Sequence, residues 1–305
     1  MRIVFMGTPQ FAVASLDALI TAGCDIVGVV TAPDKPAGRG QKLNESAVKQ
    51  YAVTNGLKVL QPANLKSPAF LEQLEALKPE LQVVVAFRML PEAVWSMPPK
   101  GTINLHASLL PQYRGAAPIN WAIINGENES GVTTFFLKHE IDTGDILFTE
   151  KVTLSGQETA GELHDRLMNK GAGLLVKTVK GVESGRYSEH PQSQLLEDVE
   201  LKHAPKIHKE DCLIDWNQDA QTVYNKIRGL SPSPTAYTLL NDKILKIFYA
   251  EFELAEPGIQ PGGFICDNKN HLKFAAKDGF IRVTDIQLEG KKRMGTQEFL
   301  RGVKL

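Results

Sequence analysis

Short apolar, β-branched stretches alternate with amphipathic helical stretches along the first part of the chain. Strand-like runs at 2–6, 26–31, 57–60, 83–87 and 102–106 are separated by helical patterns at 11–22, 47–55, 70–77 and 91–95. Apolar strands joined by helices are typical of a parallel sheet whose two faces are both covered. The pattern therefore predicts an α/β fold with a Rossmann-like parallel sheet in the N-terminal part.

The pattern changes towards the C-terminus. A helix at 118–124, strands at 131–138 and 145–154, and a long helix at 159–182 precede a polar stretch without periodicity. Beyond that stretch the sequence predicts a helix at 220–228 and short strands at 244–248, 263–265, 272–274 and 280–283. Short strands separated by turn residues are typical of a small β-barrel. We predict a first domain at 1–188, a linker at 189–206 and a second domain at 207–305.

The composition limits the class of protein but does not decide its partner. A chain of 305 residues with 43% hydrophobic content can bury the cores of two domains, and a formal net charge of −1 gives no overall attraction to nucleic acid. Three widely spaced cysteines fit neither a disulfide framework nor a zinc site, so we expect a reducing, cytoplasmic setting. The apolar stretches are shorter than the roughly 18 residues that span a bilayer, so no membrane partner is expected.

One segment near the middle of the chain contributes two chemically active side chains, and a later loop contributes a third. Asn104 and His106 are two positions apart in a predicted strand and therefore point to the same side of it. His106 falls at the carboxyl end, where open α/β sheets present their ligands. Asp142 begins the loop Asp142-Thr-Gly144-Asp145, which taken alone is an ordinary turn. The combination predicts one pocket that holds an amide, an imidazole and a carboxylate.

Segments along nearly the whole chain carry a resemblance to one enzyme family. They are Phe5-Met-Gly7-Thr8-Pro9, Pro33-Asp34-Lys35-Pro36, Asn104-Leu-His106-Ala-Ser108-Leu-Leu-Pro111, Leu213-Ile-Asp215-Trp216 and Arg228-Gly-Leu-Ser-Pro232. In these segments the chain resembles the formyltransferases that take a one-carbon unit from 10-formyltetrahydrofolate. The resemblance implies an N-terminal formyltransferase catalytic domain, a C-terminal OB-like barrel that binds tRNA, 10-formyltetrahydrofolate as formyl donor, and no metal. It also implies methionyl initiator tRNA as the acceptor.

The resemblance gives the three side chains roles in acyl transfer. The attacking amine must lose a proton, and the oxyanion that forms at the formyl group needs a fixed hydrogen-bond donor. Asn104 can donate to the oxyanion, and His106 can donate to it or relay a proton. Asp142 can orient His106 or accept the proton, so His106 and Asp142 are both candidate bases. The absence of a Gly-x-Ser-x-Gly segment disfavours a serine hydrolase.

Two short segments are the candidate folate-binding residues. The resemblance implies that backbone and apolar groups of one loop enclose the flat pterin ring. The residues of this loop are Ser108, Leu109, Leu110 and Pro111, and the expected facing wall consists of Phe87, Arg88 and Met89. The wall departs from the commoner Tyr-Gly-Leu-Ile-Leu pattern of the family.

Two basic segments are candidates for contact with tRNA. The first is the Gly- and Pro-rich stretch 31–44, which we interpret as a mobile basic loop. The resemblance implies that Arg39 contacts tRNA, with Lys35 and Lys42 as further phosphate contacts. The second is the compact cluster Lys291-Lys292-Arg293 in the second domain. Charge clusters of this kind also occur on solvated surfaces that have no partner.

Several other functions share part of this pattern. A glycinamide ribonucleotide transformylase would end near the close of the first domain, and a nucleotide-sugar formyltransferase would show different motifs in the second domain. A formyltetrahydrofolate hydrolase would use water in place of the amine. A non-catalytic RNA-binding module would need only the barrel and the basic loop, but it would not need Asn104, His106 and Asp142. We expect the protein to be a monomer.

Overall fold

The structure, a computed structural model, describes residues 1–37, 42–195, 200–303 and 305. The chain forms two compact units, each assembled from separate segments. The first unit comprises Met1–Arg114, Gly131–Val152 and His164–Lys202, and the second comprises Gly115–Ser130, Thr153–Leu163 and His203–Leu305. The domain boundaries at 188 and 206 stay a prediction.

The elements of the N-terminal part follow the alternation that the sequence predicts. In chain order they are β1 (Arg2–Gly7), α1 (Gln10–Thr21), β2 (Asp25–Val30), β3 (Lys35–Ala37), β4 (Lys42–Asn44), α2 (Ala47–Thr54), β5 (Val59–Leu60), α3 (Pro68–Glu75), β6 (Leu81–Val85), α4 (Glu92–Trp95), β7 (Thr102–His106), β8 (Arg114–Gly115), α5 (Pro118–Ile124), β9 (Glu129–Phe136), β10 (Ile146–Thr153) and α6 (Ala160–Ser184). The helix predicted at 118–124 has these bounds in the structure.

A seven-stranded sheet forms the centre of the first unit. Its strand order is β10-β9-β7-β6-β1-β2-β5, and the strands from β5 to β7 run parallel. β9 pairs antiparallel with β7, so that Phe135 lies opposite Asn104 and Thr133 lies opposite His106. The central strands are apolar because helices cover both faces, and Val4 and Phe5 of β1 are fully buried. The prediction of a parallel-sheet α/β fold is confirmed.

The described parts of the stretch 31–44 contain two short strands. β3 and β4 pair antiparallel, with Lys35 opposite Asn44. Directly before β3, the carboxylate of Asp34 accepts hydrogen bonds from Lys49 of α2 and from Gln61. These two hydrogen bonds hold the pKa of Asp34 below its ordinary value, and the one from Lys49 has the larger effect. A local composition rule does not register strand pairing between residues that are distant in sequence, so the sequence did not predict these two short strands.

The second unit contains an antiparallel sheet. Its elements after residue 202 are β11 (His203–Ala204), α7 (Ala220–Gly229), β12 (Ala236–Leu240), β13 (Lys243–Leu254), β14 (Phe264–Cys266), β15 (Leu272–Ala275), β16 (Gly279–Leu288), β17 (Met294–Gly295) and α8 (Thr296–Gly302), with a short 3-10 helix at Glu210–Cys212. A second short 3-10 helix, Gln192–Leu195, belongs to the first unit. The strand order is β12-β13-β16-β15-β14, and β17 pairs with β16. This half-barrel is consistent with the OB-like expectation.

The core of this sheet depends on contacts that are distant in sequence. The indole ring of Trp216 stacks on Phe274, with ring centroids 4.9 Å apart, and its Nε1 donates to the hydroxyl of Thr238 on β12 at 2.9 Å. The strands β13 and β16 extend beyond the ranges 244–248 and 280–283, because Leu254 still pairs with Gly279. Within the described part of the chain, no helix is both long and apolar enough to cross a membrane.

Candidate active site

Asn104 and His106 lie on β7 with the alternation that the sequence predicts. The side chain of Asn104 is half-buried, and its amide makes no hydrogen bond to any residue that the structure describes. A half-buried amide in this condition retains its two donors for a ligand. His106 is the last residue of β7 and is only 7% exposed. The carboxyl end of the strand therefore presents the amide of Asn104, which is available as a hydrogen-bond donor, and the buried imidazole of His106.

Each ring nitrogen of His106 has a polar neighbour. Its Nε2 lies 2.8 Å from the carbonyl oxygen of Tyr113. Because a carbonyl only accepts hydrogen bonds, Nε2 carries the proton, and Nδ1 is the bare nitrogen of the neutral ring. Nδ1 lies 3.8 Å from Oδ2 of Asp142, whose side chain is 12% exposed. The structure thus brings together the two residues that the sequence offered as alternative bases.

The turn that carries Asp142 has a constrained backbone. Asp142 has φ of 55°, in the left-handed region that non-glycine residues rarely adopt. Two positions later, a Cβ on Gly144 would lie 1.6 Å from the carbonyl oxygen of Phe136, so only glycine fits there. The side chain of Gln192 donates to the carbonyl oxygens of Asp142 at 2.9 Å and Gly144 at 2.8 Å. The turn is therefore held by contacts to two separate parts of the unit.

Gln192 was missed by the sequence analysis, which placed it in the linker 189–206. It is 2% exposed, and its Oε1 accepts hydrogen bonds from Nε and Nη2 of Arg114 at 3.1 and 2.6 Å. Its neighbours in sequence are polar and without periodicity, so no local pattern marks it as buried. A buried glutamine with this many partners belongs to the structure around the site and not to a solvated connection.

The loop Ser108–Pro111 is anchored to β9 by Thr133. The hydroxyl of Thr133 donates to the carbonyl oxygen of Ser108 at 2.7 Å and accepts from the backbone N–H of Leu110 at 3.2 Å. The hydroxyl of Ser108, which is 1% exposed, donates to the carbonyl oxygen of Gln112 at 2.6 Å. Leu110 is buried against Phe135 and Ile146, and Pro111 is buried as well, whereas Leu109 is half-buried. Of the four side chains, Leu109 is therefore the most accessible to a ligand.

The segment Phe87–Met89 follows β6 directly. Ala86, at the turn out of the strand, has φ of 47°. The guanidinium of Arg88 donates to the carbonyl oxygens of Pro62 and Ala63, the second at 3.0 Å, and lies 5.7 Å from the ring centroid of Phe87. Met89 is 73% exposed. The guanidinium of Arg88 is thus hydrogen-bonded to backbone carbonyl groups, while Met89 presents an apolar side chain to solvent.

The predicted basic residues differ in how the structure uses them. Lys35 is exposed on β3, whereas Arg39 and the side chain of Lys42 lie outside the described part of the chain. Lys291 and Lys292 are exposed before β17. Arg293 is paired with Asp285.

Arg293 forms a bidentate ion pair with Asp285 of β16. Its Nε lies 3.0 Å from both carboxylate oxygens, and Nη2 lies 2.7 Å from Oδ2. The guanidinium also lies 4.0 Å from the ring centroid of Phe248. The hydrogen bonds to Asp285 raise the pKa of Arg293 above its already high value. Its charge is partly neutralised by this ion pair, which leaves the two lysines as the part of the cluster without an acidic partner among the described residues.

The described residues contain no group of three or more His, Cys, Asp or Glu side chains placed to hold a metal ion. The site at the end of β7 instead combines a neutral donor, a bare imidazole nitrogen and a carboxylate. Such a set suits acyl transfer, because it can bind a developing oxyanion and move a proton without a covalent intermediate.

Comparison with known proteins agrees with this chemistry. Residues 1–179 match the formyl transferase family, and residues 206–304 match the formyl transferase C-terminal domain. The chain is 51% identical over 310 residues to methionyl-tRNA formyltransferase of Bacteroides fragilis, covering 100% of this chain and 96% of that protein. It is 54% identical over 311 residues to the enzyme of the same name from Parabacteroides distasonis, with the same coverage of both chains.

Solved structures share the fold at lower identity. An N-formyltransferase from Helicobacter canadensis, in complex with folinic acid and dTDP-3-aminofucose, is 21% identical with a TM-score of 0.67, over 92% of this chain and 98% of that one. HypX from Aquifex aeolicus, in complex with tetrahydrofolic acid, is also 21% identical with a TM-score of 0.67, over 100% of this chain and 48% of that one. The full-length relatives and the two domain matches together place this chain in the formyltransferase family, among the methionyl-tRNA formyltransferases.

Proposed function

We propose that this enzyme transfers the formyl group of 10-formyltetrahydrofolate to the α-amino group of methionyl initiator tRNA. The products are N-formylmethionyl-tRNA, which serves translation initiation, and tetrahydrofolate. The observation that carries the proposal is the arrangement at the end of β7, where the uncommitted amide of Asn104 neighbours a His106–Asp142 pair in a chain that aligns over its full length with methionyl-tRNA formyltransferases.

Asn104 supplies the hydrogen-bond donor for the formyl oxygen. As the amine attacks, negative charge develops on this oxygen, and a fixed neutral donor stabilises it without reorganisation. The amide suits this role because it is half-buried and makes no hydrogen bond to a described residue. Removal of one such donor typically costs about 100-fold to 1,000-fold in kcat.

His106 and Asp142 handle the proton as a pair. With Nε2 donating to Tyr113, the lone pair on Nδ1 faces the carboxylate of Asp142 at 3.8 Å. When Nδ1 takes up a proton released by the attacking amine, the resulting imidazolium lies beside a negative charge that stabilises it. The imidazolium then returns this proton to the folate nitrogen as the bond from that nitrogen to the formyl carbon breaks, which gives tetrahydrofolate. The carboxylate is too far from Nδ1 for a direct hydrogen bond, so we assign the base to His106 and the electrostatic support to Asp142.

The residues around this set fit a folate co-substrate, which brings the formyl group to the site. A flat pterin ring needs backbone donors and acceptors at its edge and apolar side chains on its faces. Leu109 and Met89 are the accessible apolar side chains of the two predicted loops. Ser108, Leu110 and Pro111 support the loop from within, and Phe87 and Arg88 do the same for the facing wall.

Basic side chains in each unit supply charge for an RNA backbone. We propose that Lys35, Arg39 and Lys42 of the stretch 31–44, together with Lys291 and Lys292, contact phosphates of the tRNA. Arg293 stays a weaker candidate because its guanidinium is paired with Asp285.

The test is formyl transfer from 10-formyltetrahydrofolate to methionyl initiator tRNA, run beside uncharged tRNA, glycinamide ribonucleotide and a reaction without acceptor. Transfer to the charged tRNA alone is the expected result. Folate turnover without acceptor would indicate a hydrolase and overturn the proposal. Asn104→Asp, which keeps the size of the side chain but replaces its donors by acceptors, should lower kcat by about 100-fold or more with folate binding retained.

A further inference from the structure

A buried glutamine connects the two chain segments that hold the His106–Asp142 pair. Gln192 is 2% exposed and makes four hydrogen bonds, two from each end of its amide. Its Nε2 donates to the carbonyl oxygens of Asp142 and Gly144, and its Oε1 accepts from the guanidinium of Arg114. Every hydrogen-bonding atom of the side chain is used, which is unusual for a residue in a stretch whose sequence resembles a linker.

The orientation of this amide follows from its partners. A guanidinium offers only donors, and backbone carbonyls offer only acceptors. Exchange of the oxygen and nitrogen of Gln192 would therefore set donor against donor at Arg114 and acceptor against acceptor at the Asp142 turn. The contact to a charged group strengthens the hydrogen bonds at the oxygen end. The side chain is thus a fixed, directional connection between Arg114 and the turn.

Both ends of this connection adjoin the reacting pair. Arg114 directly follows Tyr113, whose carbonyl oxygen fixes Nε2 of His106 at 2.8 Å. At the other end, the two carbonyl contacts lie on either side of Thr143 and hold a turn in which Asp142 has φ of 55°. A turn in this sparsely populated conformation persists only where surrounding contacts maintain it.

We propose that Gln192 is a positioning residue for formyl transfer. It holds the carboxylate of Asp142 at its working distance from Nδ1 of His106, by tying the Asp142 turn to the segment that orients the imidazole. The inference rests on the proposed function, because it assumes that the His106–Asp142 pair moves the proton. A merely structural role would be to satisfy two buried carbonyl groups, with no effect on the chemistry of each folded molecule.

Two substitutions separate these roles. Gln192→Met keeps the volume and removes all four hydrogen bonds. Gln192→Glu keeps the acceptors for Arg114 but sets a carboxylate oxygen against the two carbonyls of the turn. We expect both variants to lower kcat by about 10-fold to 100-fold, with KM for folate and tRNA within about twofold of wild type. Titration with tetrahydrofolate gives the fraction of competent sites, so a loss of folded protein is not counted as a loss of kcat.

The matched control is Gln82→Met. Gln82 is a fully buried glutamine of β6 in the same unit, and its Oε1 accepts from the hydroxyl of Thr102. This substitution also removes a buried amide, but it does not touch the Asp142 turn, so kcat per competent site should stay within about twofold of wild type. Wild-type kcat in Gln192→Glu would overturn the proposal, since that variant lacks the donors to the turn.

A double-mutant cycle tests whether Gln192 acts through Asp142. In an Asp142→Asn background, Gln192→Met should lower kcat by less than about twofold, because the carboxylate that it positions is already gone. An equal loss in both backgrounds would overturn the inference while leaving the proposed function intact. Full activity of Asp142→Asn alone would instead show that the assignment of the reacting pair, and with it this inference, is wrong.

Discussion

Nδ1 of His106 lies 3.8 Å from Oδ2 of Asp142, while Nε2 of the same ring lies 2.8 Å from the carbonyl oxygen of Tyr113. The second contact determines the first, because the hydrogen bond to Tyr113 both fixes the tautomer and aims the bare nitrogen at the carboxylate. The separation leaves the pair close enough for electrostatic support and too far apart for a shared proton. The two residues therefore have different roles although they are neighbours.

Asp142→Asn should lower kcat by about 100-fold or more, because the imidazolium of His106 loses the adjacent negative charge. KM for folate should change little. The control is Asp145→Asn in the same loop, where the carboxylate pairs with the exposed Lys138 at 2.6 Å. That control should stay within about threefold of wild type, since the carboxylate of Asp145 pairs with Lys138 and not with His106. Equal losses in both variants would mean that the loop responds to any loss of charge.

Gly144→Ala should destabilise the protein by on the order of 3 kcal/mol, because its Cβ would collide with the carbonyl oxygen of Phe136 at 1.6 Å. Denaturant unfolding provides the measurement. Gly173→Ala is the control: it lies in α6 with no atom within 4 Å of the added Cβ, and should stabilise by about 0.5–1 kcal/mol. A neutral Gly144→Ala would show that the turn can move away from β9.

The stability of the second unit should depend on Asp267 at acidic pH. Its Oδ1 accepts hydrogen bonds from the backbone N–H groups of His271, Lys269 and Asn270, which lower the pKa of its carboxyl group to about 2. A depressed folded-state pKa contributes stability that is fully present above the unfolded value of about 3.9 and is lost as the pH falls through about 2. Wild type should therefore exceed Asp267→Ala in stability at pH 7, and the difference should shrink between pH 4 and pH 2. A constant difference across this range would contradict the assignment.

Removal of the two exposed lysines, Lys291→Ala with Lys292→Ala, should weaken tRNA binding and reduce its salt dependence. Each lost phosphate contact lowers the slope of log K against log salt by about 1. The control is Lys269→Ala, which removes an exposed lysine elsewhere in the same unit. An unchanged salt slope in the double variant would remove this cluster from the RNA-binding surface. Binding of tetrahydrofolate should be unaffected in both variants.

The sequence predicted the parallel strands β1, β2, β5, β6 and β7 because a covered parallel sheet imposes a continuous apolar pattern on each strand. It predicted Asn104 and His106 on one side of β7 because strand side chains alternate with a period of two. It did not predict β12, which is held in place by contacts such as that between Thr238 and the distant Trp216. Local patterns carry no information about a partner 22 residues away in sequence.

The same limit explains why Gln192 was placed in a linker. Its partners lie 78 and about 50 residues away in sequence, and its neighbours are polar. Likewise, the ion pair between Arg293 and Asp285 could not be inferred from the run of three basic residues. Composition indicates which side chains are charged, whereas their partners depend on the register of β16 and β17.

Three residues other than glycine adopt positive φ angles in the segments around the candidate site: Ala86 at 47°, Tyr113 at 60° and Asp142 at 55°. Glycine at Ala86 would relieve this strain, and a search for thermally robust variants would favour it on conformational grounds. The same substitution would make the backbone more flexible between β6 and the predicted folate-binding segment Phe87–Met89. Substitutions that raise thermal stability are therefore best made away from these three positions. Relief of backbone strain here would raise stability but would also loosen the segments that hold the site, which would lower turnover.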